Sequence, residues 1–314
     1  MGLTFPGGRR FAFTIMDDTD VATLANVGPV YQLLDELGFR TTKTVWPVGC
    51  PEGSRNFSSS ETLEHPAYLD FVLGLQARGF EIAHHGATME SSPRERTERG
   101  MARFRDAFGG PPRVYANHAL NRENLYWGAE RLDDPILRAL FRRVEGQQPE
   151  YYQGHVPGSP WFWGDLAGQI TYIRNLTFSD INLRRINPSM PYRDPRRPGV
   201  PWWFSASDAE DVHAFNSLIS PSAQDRLERE GGVCIVATHL GKGFTEDGVV
   251  HSDTRRLLER LAAKPGWFVP VGELLDWLRT AREGSPLLPR GEWKRMQWRW
   301  ALDLALRKLK RGRG

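Results

Sequence analysis

Short apolar runs alternate with amphipathic stretches over most of the chain, a pattern typical of strands separated by helices. The predicted strands are FAFTIM (11–16), KTVWPV (43–48), FEIA (80–83), RVYA (113–116), VCIVAT (233–238) and WFVPV (267–271). The predicted helices cover residues 30–39, 67–78, 94–108, 253–263 and 273–282. Strands and helices that alternate at this spacing indicate a parallel sheet or barrel.

The segment from about residue 121 to 200 breaks this alternation. It is rich in Trp, Tyr, Pro, Arg and Gly, and a loop of this length is uncommon in a compact domain unless it is functional. We predict an insertion that covers or lines a site, with one strand at 169–178. The alternative is a peripheral decoration whose aromatic side chains pack on the barrel.

Composition and charge divide the chain into a body and a tail. Of the 314 residues, 40% are hydrophobic and 25% are charged, which excludes a disordered or collagen-like protein. Residues 283–314 contain nine basic and three acidic residues, whereas residues 1–282 carry a small negative charge. The predicted organisation is a barrel at 1–282 and a basic tail at 283–314.

The tail contains a predicted amphipathic helix at 293–310. Its apolar positions Trp298, Leu302, Ala305 and Leu309 recur at helical spacing among Arg and Lys residues. Such a helix suits an anionic membrane surface, and the alternative is docking on the barrel through the same stripe. No nucleic-acid partner is expected, because the body is acidic and no nucleic-acid module is present.

Two adjacent carboxylates, Asp17 and Asp18, end the first predicted strand. Like charges in contact repel, so a cation or a hydrogen-bond network is expected beside them, and a metal ion would serve. The alternative is an exposed acidic turn. Asp18-Thr19-Asp20 also forms an Asp-x-Asp, which is a weak sign of a nucleotide-sugar transferase or a phosphatase.

Histidines end three other predicted strands. His84 and His85 follow FEIA, His118 follows RVYA, and His239 follows VCIVAT. Active sites of parallel α/β folds gather at the carboxyl ends of strands, so these side chains are expected on one rim with the aspartates. Successive strand residues point to opposite faces, so only one of the adjacent pair is expected to face the site.

The motifs FTIMDDTD, GFEIAHHG and GGVCIVATHLG, in this order and with the closing WFVPVGELLDWL, resemble those of the polysaccharide deacetylases of the NodB-homology group, carbohydrate esterase family four. The resemblance covers residues 9–118 and 230–280. It implies a distorted (β/α)7 barrel, a divalent metal ion at its mouth with zinc as the expected ion, and hydrolysis of acyl groups on sugars.

The resemblance also implies roles for single residues. Asp17 matches the general base, Asp18 and His85 match metal ligands, and His239 matches the general acid. Asp208 could orient His239 as the corresponding family acid does, or it could cap the helix that follows.

The sequence departs from the family pattern at two motifs. The second histidine of the family's ligand pair is replaced by Met89, and a thioether is a poor ligand for a borderline cation. The Arg-x-Pro-aromatic motif is replaced by residues 115–118. We expect His118 to supply the missing imidazole from the neighbouring strand; the alternative is a metal ion held more loosely by Asp18, His85 and water.

The expected function is metal-dependent removal of an N-acetyl or N-formyl group from a sugar or glycan precursor in cell-surface polysaccharide or lipopolysaccharide biosynthesis. A lipid-linked substrate is expected if the tail contacts a membrane. The alternative is a degenerate barrel that binds glycan without catalysis. No secretory signal or membrane-spanning run is recognised, so the expected location is the cytoplasm, with peripheral attachment at the inner face of the membrane left open.

Overall fold

The computed structural model describes residues 4–57, 59–145 and 151–311. Parts of three predicted segments lie outside this description: residues 1–3 and 58 of the body, 146–150 of the insertion and 312–314 of the tail. Among the described residues, none of the helices is both long and apolar enough to cross a membrane.

Seven parallel strands form a closed ring. They pair in chain order, and the first strand also pairs with the seventh. The strands are β1 (Phe11–Asp17), β2 (Thr42–Val45), β3 (Glu81–His84), β4 (Val114–Ala116), β5 (Tyr172–Phe178), β6 (Trp202–Asp208) and β7 (Val233–Thr238). The expected (β/α)7 barrel is therefore confirmed.

Helices surround the ring, and three short strands complete the fold. The helices are α1 (Leu24–Glu36), α2 (Pro66–Ala77), α3 (Arg94–Phe108), α4 (Pro135–Glu145), α5 (Val212–Leu218), α6 (Pro221–Glu230), α7 (Ser252–Ala262), α8 (Val271–Thr280) and α9 (Arg290–Arg311). The short strands are β8 (Thr245–Glu246), β9 (Val249–Val250) and β10 (Gly266–Trp267).

Local sequence signals explain several helix boundaries. Thr23 and Asn26 form a reciprocal capping box at the start of α1. Asp211 caps α5 through its side chain, so the cap lies three residues beyond Asp208. Gly109 and Gly231 end α3 and α6 in the left-handed conformation, which glycine adopts without a steric penalty.

The structure differs from the predicted elements in two regions. Residues 121–200 contribute a barrel strand, β5, as well as α4, so this segment is partly built into the ring. Strand β6 was not predicted, because WWFSASD follows a Pro- and Arg-rich stretch and lacks a simple alternation of apolar and polar residues. The predicted strand at 267–271 is reduced to β10, which pairs with the start of β1.

Strand β1 separates two apolar cores. Phe13 and Ile15 pack with α1, α2 and α5 to α7 on the outside of the ring. Ala12 and Met16 belong to the second core, which includes the ring interior and the buried face of α9. The same alternation separates the two adjacent aspartates. The side chain of Asp17 points to the outside of the ring, as those of Phe13 and Ile15 do, and the side chain of Asp18 points to the inside.

Asp17 forms a fully buried ion pair with Lys43 on β2. The Nζ atom of Lys43 lies 2.9 Å from Oδ2 of Asp17, and both side chains have no exposed surface. Removal of one partner from a buried ion pair leaves the other charge buried and unpaired, which lowers the free energy of unfolding by about 3–5 kcal/mol.

We predict that Lys43→Met lowers the free energy of unfolding by about 3–5 kcal/mol, measured by urea denaturation. Adding Asp17→Asn should recover a large part of that loss, because asparagine carries no unpaired charge and its side-chain oxygen still accepts a hydrogen bond from the Leu240 amide. A Lys43→Met variant as stable as the parent chain would show that the pair contributes nothing.

Candidate functional site

A polar cavity of about 370 Å³ opens at the carboxyl ends of the barrel strands. Its floor is formed by residues at or just after strand ends, and α9 supplies one wall. The lining includes Asp18, Asp20, His85, His118, Asp208 and His239 from the strand ends, Arg174 from within β5, Trp127 and Arg131 from the segment after β4, and Trp300, Leu304 and Arg307 from α9.

Asp17 does not line this cavity. Besides Lys43, its carboxylate accepts a hydrogen bond from the Tyr31 hydroxyl at 3.1 Å and one from the Leu240 amide at 2.8 Å. These contacts hold it between β1 and α1, on the far side of the strand from the cavity. The structure therefore places the residue expected as the general base in a buried structural network.

Asp18 faces the cavity and is held by Arg174. The guanidinium donates to both carboxylate oxygens, over 2.8 and 2.5 Å, and both side chains are nearly buried. Burial raises the pKa of Asp18, but the Arg174 guanidinium and the neighbouring imidazoles outweigh burial and keep the pKa below its ordinary value. Arg174 lies at an irregularity in the pairing of β5 with β6, where a strand can redirect a side chain.

Asp20 lies among three histidines. Its Oδ1 atom is 3.3 Å from Nε2 of His85, and its Oδ2 atom is 3.4 Å from Nε2 of His118 and 3.3 Å from Nε2 of His239. The histidines follow β3, β4 and β7, so the predicted gathering of these side chains on one rim is what the structure shows. The carboxylate at their centre belongs to Asp20 and not to Asp18.

The other nitrogen of each ring faces an oxygen acceptor. Nδ1 of His85 lies 2.9 Å from the Ala116 carbonyl, and Nδ1 of His239 lies 2.7 Å from the Glu210 carbonyl. Nδ1 of His118 lies 3.1 Å from the side-chain oxygen of Asn121. Because these partners accept hydrogen bonds, each Nδ1 carries the proton, and in a neutral ring Nε2 presents a lone pair toward Asp20.

The orientation of Asn121 supports this assignment. Its amide nitrogen has three acceptors in reach, namely the Thr88 and Glu90 carbonyls and the Glu123 carboxylate. The side-chain oxygen is therefore left for His118. A carbonyl-type acceptor that fixes a ring through Nδ1 is the usual outer partner of a metal-binding histidine.

The donor set fits a divalent cation of the zinc type, which prefers imidazole nitrogen and carboxylate oxygen. Two buried atoms, Oδ1 of Asp20 and Nε2 of His85, have no hydrogen-bond partner among the described residues. Lone pairs directed at a carboxylate repel unless the rings are protonated or a cation lies between them. The side chains are not already spaced as a metal cage in the part of the chain that the structure describes, because Asp20 lies between the rings.

The remaining candidate residues have other partners. Asp208 ends β6 and pairs with Arg307 of α9, whereas the ring of His239 is oriented by a main-chain carbonyl. Met89 accepts a hydrogen bond from Ser59 at 2.9 Å. His84 is fully buried near Tyr115 and Trp163, so it is the member of the adjacent pair that faces away.

Three residues important to this arrangement were not identified from the sequence. Asp20 was noticed only as part of an Asp-x-Asp. Arg174 lies in the predicted strand 169–178 and Lys43 in the predicted strand 43–48, where a charged residue inside an apolar run could have signalled a buried partner.

No protein-family model and no curated protein matches the sequence. Solved structures do match. A crystal structure from Mycobacterium smegmatis assigned to the polysaccharide deacetylases has a TM-score of 0.54 and 13% identity, over 92% of this chain and 97% of that one. PuuE allantoinase has a TM-score of 0.50 and 13% identity, over 90% of this chain and 95% of that one. This likeness shows the fold alone.

We predict that Arg174→Lys lowers the free energy of unfolding by about 1–3 kcal/mol, because lysine keeps the charge but cannot donate to both oxygens of Asp18. Arg174→Met should cost about 3–5 kcal/mol, since it leaves a buried carboxylate unpaired. Urea denaturation measures both effects, with Arg10→Lys at an exposed ion pair as the control. Equal losses for the two substitutions would show that the paired geometry is unimportant.

Proposed function

We propose that this protein is a metal-dependent hydrolase that removes an acyl group, acetyl or formyl, from the nitrogen of a sugar or glycan precursor. The observation that carries the proposal is the carboxylate of Asp20 among three imidazoles whose Nδ1 atoms are all held by acceptors. The deacetylase-type barrel supports the proposal, since this arrangement lies at the end of the barrel where such folds place active sites.

Asp20, His85 and His118 are the proposed metal ligands. A catalytic zinc site has three protein ligands and one open position, and this set supplies three from neighbouring parts of the rim. When bound, the cation would polarise the acyl carbonyl and acidify a water molecule. His118 thus takes the place of the imidazole that Met89 cannot supply, while the aspartate ligand becomes Asp20 in place of Asp18.

Asp18 and His239 are then left for proton transfer. Asp18 lies in the cavity with its carboxylate fixed by Arg174, so it can accept a proton from water without turning away. When its ring is protonated on both nitrogens, His239 can donate the Nε2 proton to the departing amine, while the Nδ1 proton stays on the Glu210 carbonyl. Asp17, buried against Lys43, has a structural role in this proposal.

The cavity wall suits a sugar. Trp127 and Trp300 flank Arg131, whose guanidinium carbon lies 4.0 and 4.6 Å from the two ring centroids. Ligand sites commonly combine aromatic walls with a few fixed polar groups, and this wall faces the aspartates and histidines across the cavity. Trp127, which is partly exposed, can pack against the apolar face of a sugar ring, whereas the nearly buried Trp300 supports the wall from behind.

A second set of metal ligands would correspond to the alternative function, a barrel that binds glycan without catalysis. His239 makes the same kind of contact to Asp20 as the other two histidines, so it could be a fourth protein ligand. Four protein ligands would close the metal site and leave no position for water. The protein would then bind glycan without hydrolysing it.

Metal analysis and acyl release distinguish these arrangements. We predict that the purified protein binds about one equivalent of zinc and releases acetate or formate from N-acylated amino sugars. Asp20→Ala should lose the metal and the activity. His239→Ala should keep the metal and lose at least about a hundredfold in kcat, since general acid catalysis is worth this much. Loss of metal in His239→Ala would favour the closed site, and a metal-free active protein would overturn the proposal.

Asn121 fixes the ring of His118 through its side-chain oxygen. Asn121→Ala removes the acceptor of the Nδ1 proton and should weaken zinc affinity about 10–100-fold. Competition with a chromogenic chelator measures the affinity. Asn117→Ala is the matched control, because Asn117 also lines the cavity and its hydrogen bonds to described residues go to the main chain of Leu125 and not to a histidine. Equal effects of the two substitutions would contradict the proposed role of His118.

A further inference from the structure

Helix α9 has two apolar faces. One face is buried against the barrel through Trp293, Met296 and Trp300. The opposite face carries Trp298, Leu302, Leu306 and Leu309, which are 39–60% exposed. The stripe recognised in the sequence is thus the exposed one, including Ala305, and the helix docks through other residues.

Helix α4 continues this exposed apolar surface. Ile136, Leu140 and Val144 recur every four residues along the helix and are 54–67% exposed. A cavity of about 110 Å³ lies between the two helices, lined only by apolar side chains. Its lining is Leu132, Leu137, Leu140, Phe141 and Val144 on one side and Trp300, Ala301, Leu304 and Ala305 on the other. The exposed apolar residues of α4 and α9 are called the apolar ridge below.

Basic residues border the apolar ridge. Helix α9 contains eight Arg or Lys residues and two acidic residues along its sequence. Lys294 and Arg295 are exposed in its first half, as is Arg299, which pairs with Asp303, and Arg143 is exposed on α4 beside Val144. Aliphatic side chains flanked by arginine and lysine match the interface of an anionic bilayer, where acyl chains lie beneath a negative surface.

We propose that the apolar ridge attaches the protein to the surface of a membrane that contains anionic phospholipids. The charge of the flanking residues favours lipid over a second protein, because a dimer built on this ridge would bring the basic borders of two copies together. The attachment would be interfacial, with the ridge inserted at the depth of the headgroups and first methylenes.

The apolar ridge also adjoins the polar cavity. Trp300 and Leu304 line both the apolar cavity between the helices and the cavity that contains Asp18 and Asp20. A membrane bound to the ridge would therefore lie beside the mouth of the candidate site. This surface proposal rests on exposure and charge and is independent of the reaction.

Vesicle flotation tests the proposal with the full chain. The wild-type protein should float with vesicles of phosphatidylcholine containing about one third phosphatidylglycerol and much less with phosphatidylcholine alone. Binding should fall in about 0.5 M salt, because salt screens the attraction between the basic residues and the anionic lipids. Leu302→Ser/Leu306→Ser should reduce the partition coefficient at least about tenfold, since two large apolar side chains no longer insert.

The control is Val249→Ser, which removes a 68% exposed apolar side chain from β9, away from the apolar ridge. It should bind vesicles as the wild type does. Size-exclusion chromatography of the same variants tests the alternative that a second copy of the chain binds the apolar ridge. Failure of the wild type to bind anionic vesicles, or a dimer that Leu302→Ser/Leu306→Ser dissociates, would overturn the proposal.

Discussion

Pairing of β1 with β7 is the constraint on which the site depends. Six consecutive residue pairs, from Ala12 with Val233 to Asp17 with Thr238, close the ring of parallel strands. The closure brings the end of the last strand beside the end of the first, so that the Leu240 amide reaches Asp17 and His239 reaches Asp20. Residues more than two hundred positions apart meet because the sheet has no free edge at this point.

The two adjacent carboxylates at the end of β1 do not repel each other strongly, because strand alternation points them to opposite faces of the sheet. Asp17 turns outward to Lys43, and Asp18 turns inward to Arg174, so each carboxylate has its own cation from the protein. The repulsion that suggested a metal at this pair is relieved without one. The proposed cation lies instead at Asp20, whose close ionisable partners among the described residues are the imidazoles of three histidines.

The sequence predicted the elements with strong local patterns and missed those that depend on distant partners. The amphipathic helix 94–108 was placed at its observed bounds, and the third strand, predicted to end at Ala83, ends one residue later at His84, because periodicity and apolar runs are local signals. Strand β6 is held by β5 and β7, and neither partner can be read from WWFSASD itself. The partner of Asp18 lies on β5, more than 150 residues away, so no spacing rule could identify Arg174.

Met89 stands where the family pattern has a second histidine, and the proposed ligand His118 would replace that histidine from the next strand. A second histidine four residues after the first depends on the conformation of a single loop, whereas a histidine on the next strand depends on the spacing of neighbouring strands. The ring centroids of His85 and His118 lie 5.4 Å apart, and Trp46 packs against both rings. If His118 is the ligand, the spacing of neighbouring strand ends, and not the conformation of a single loop, holds the two rings together.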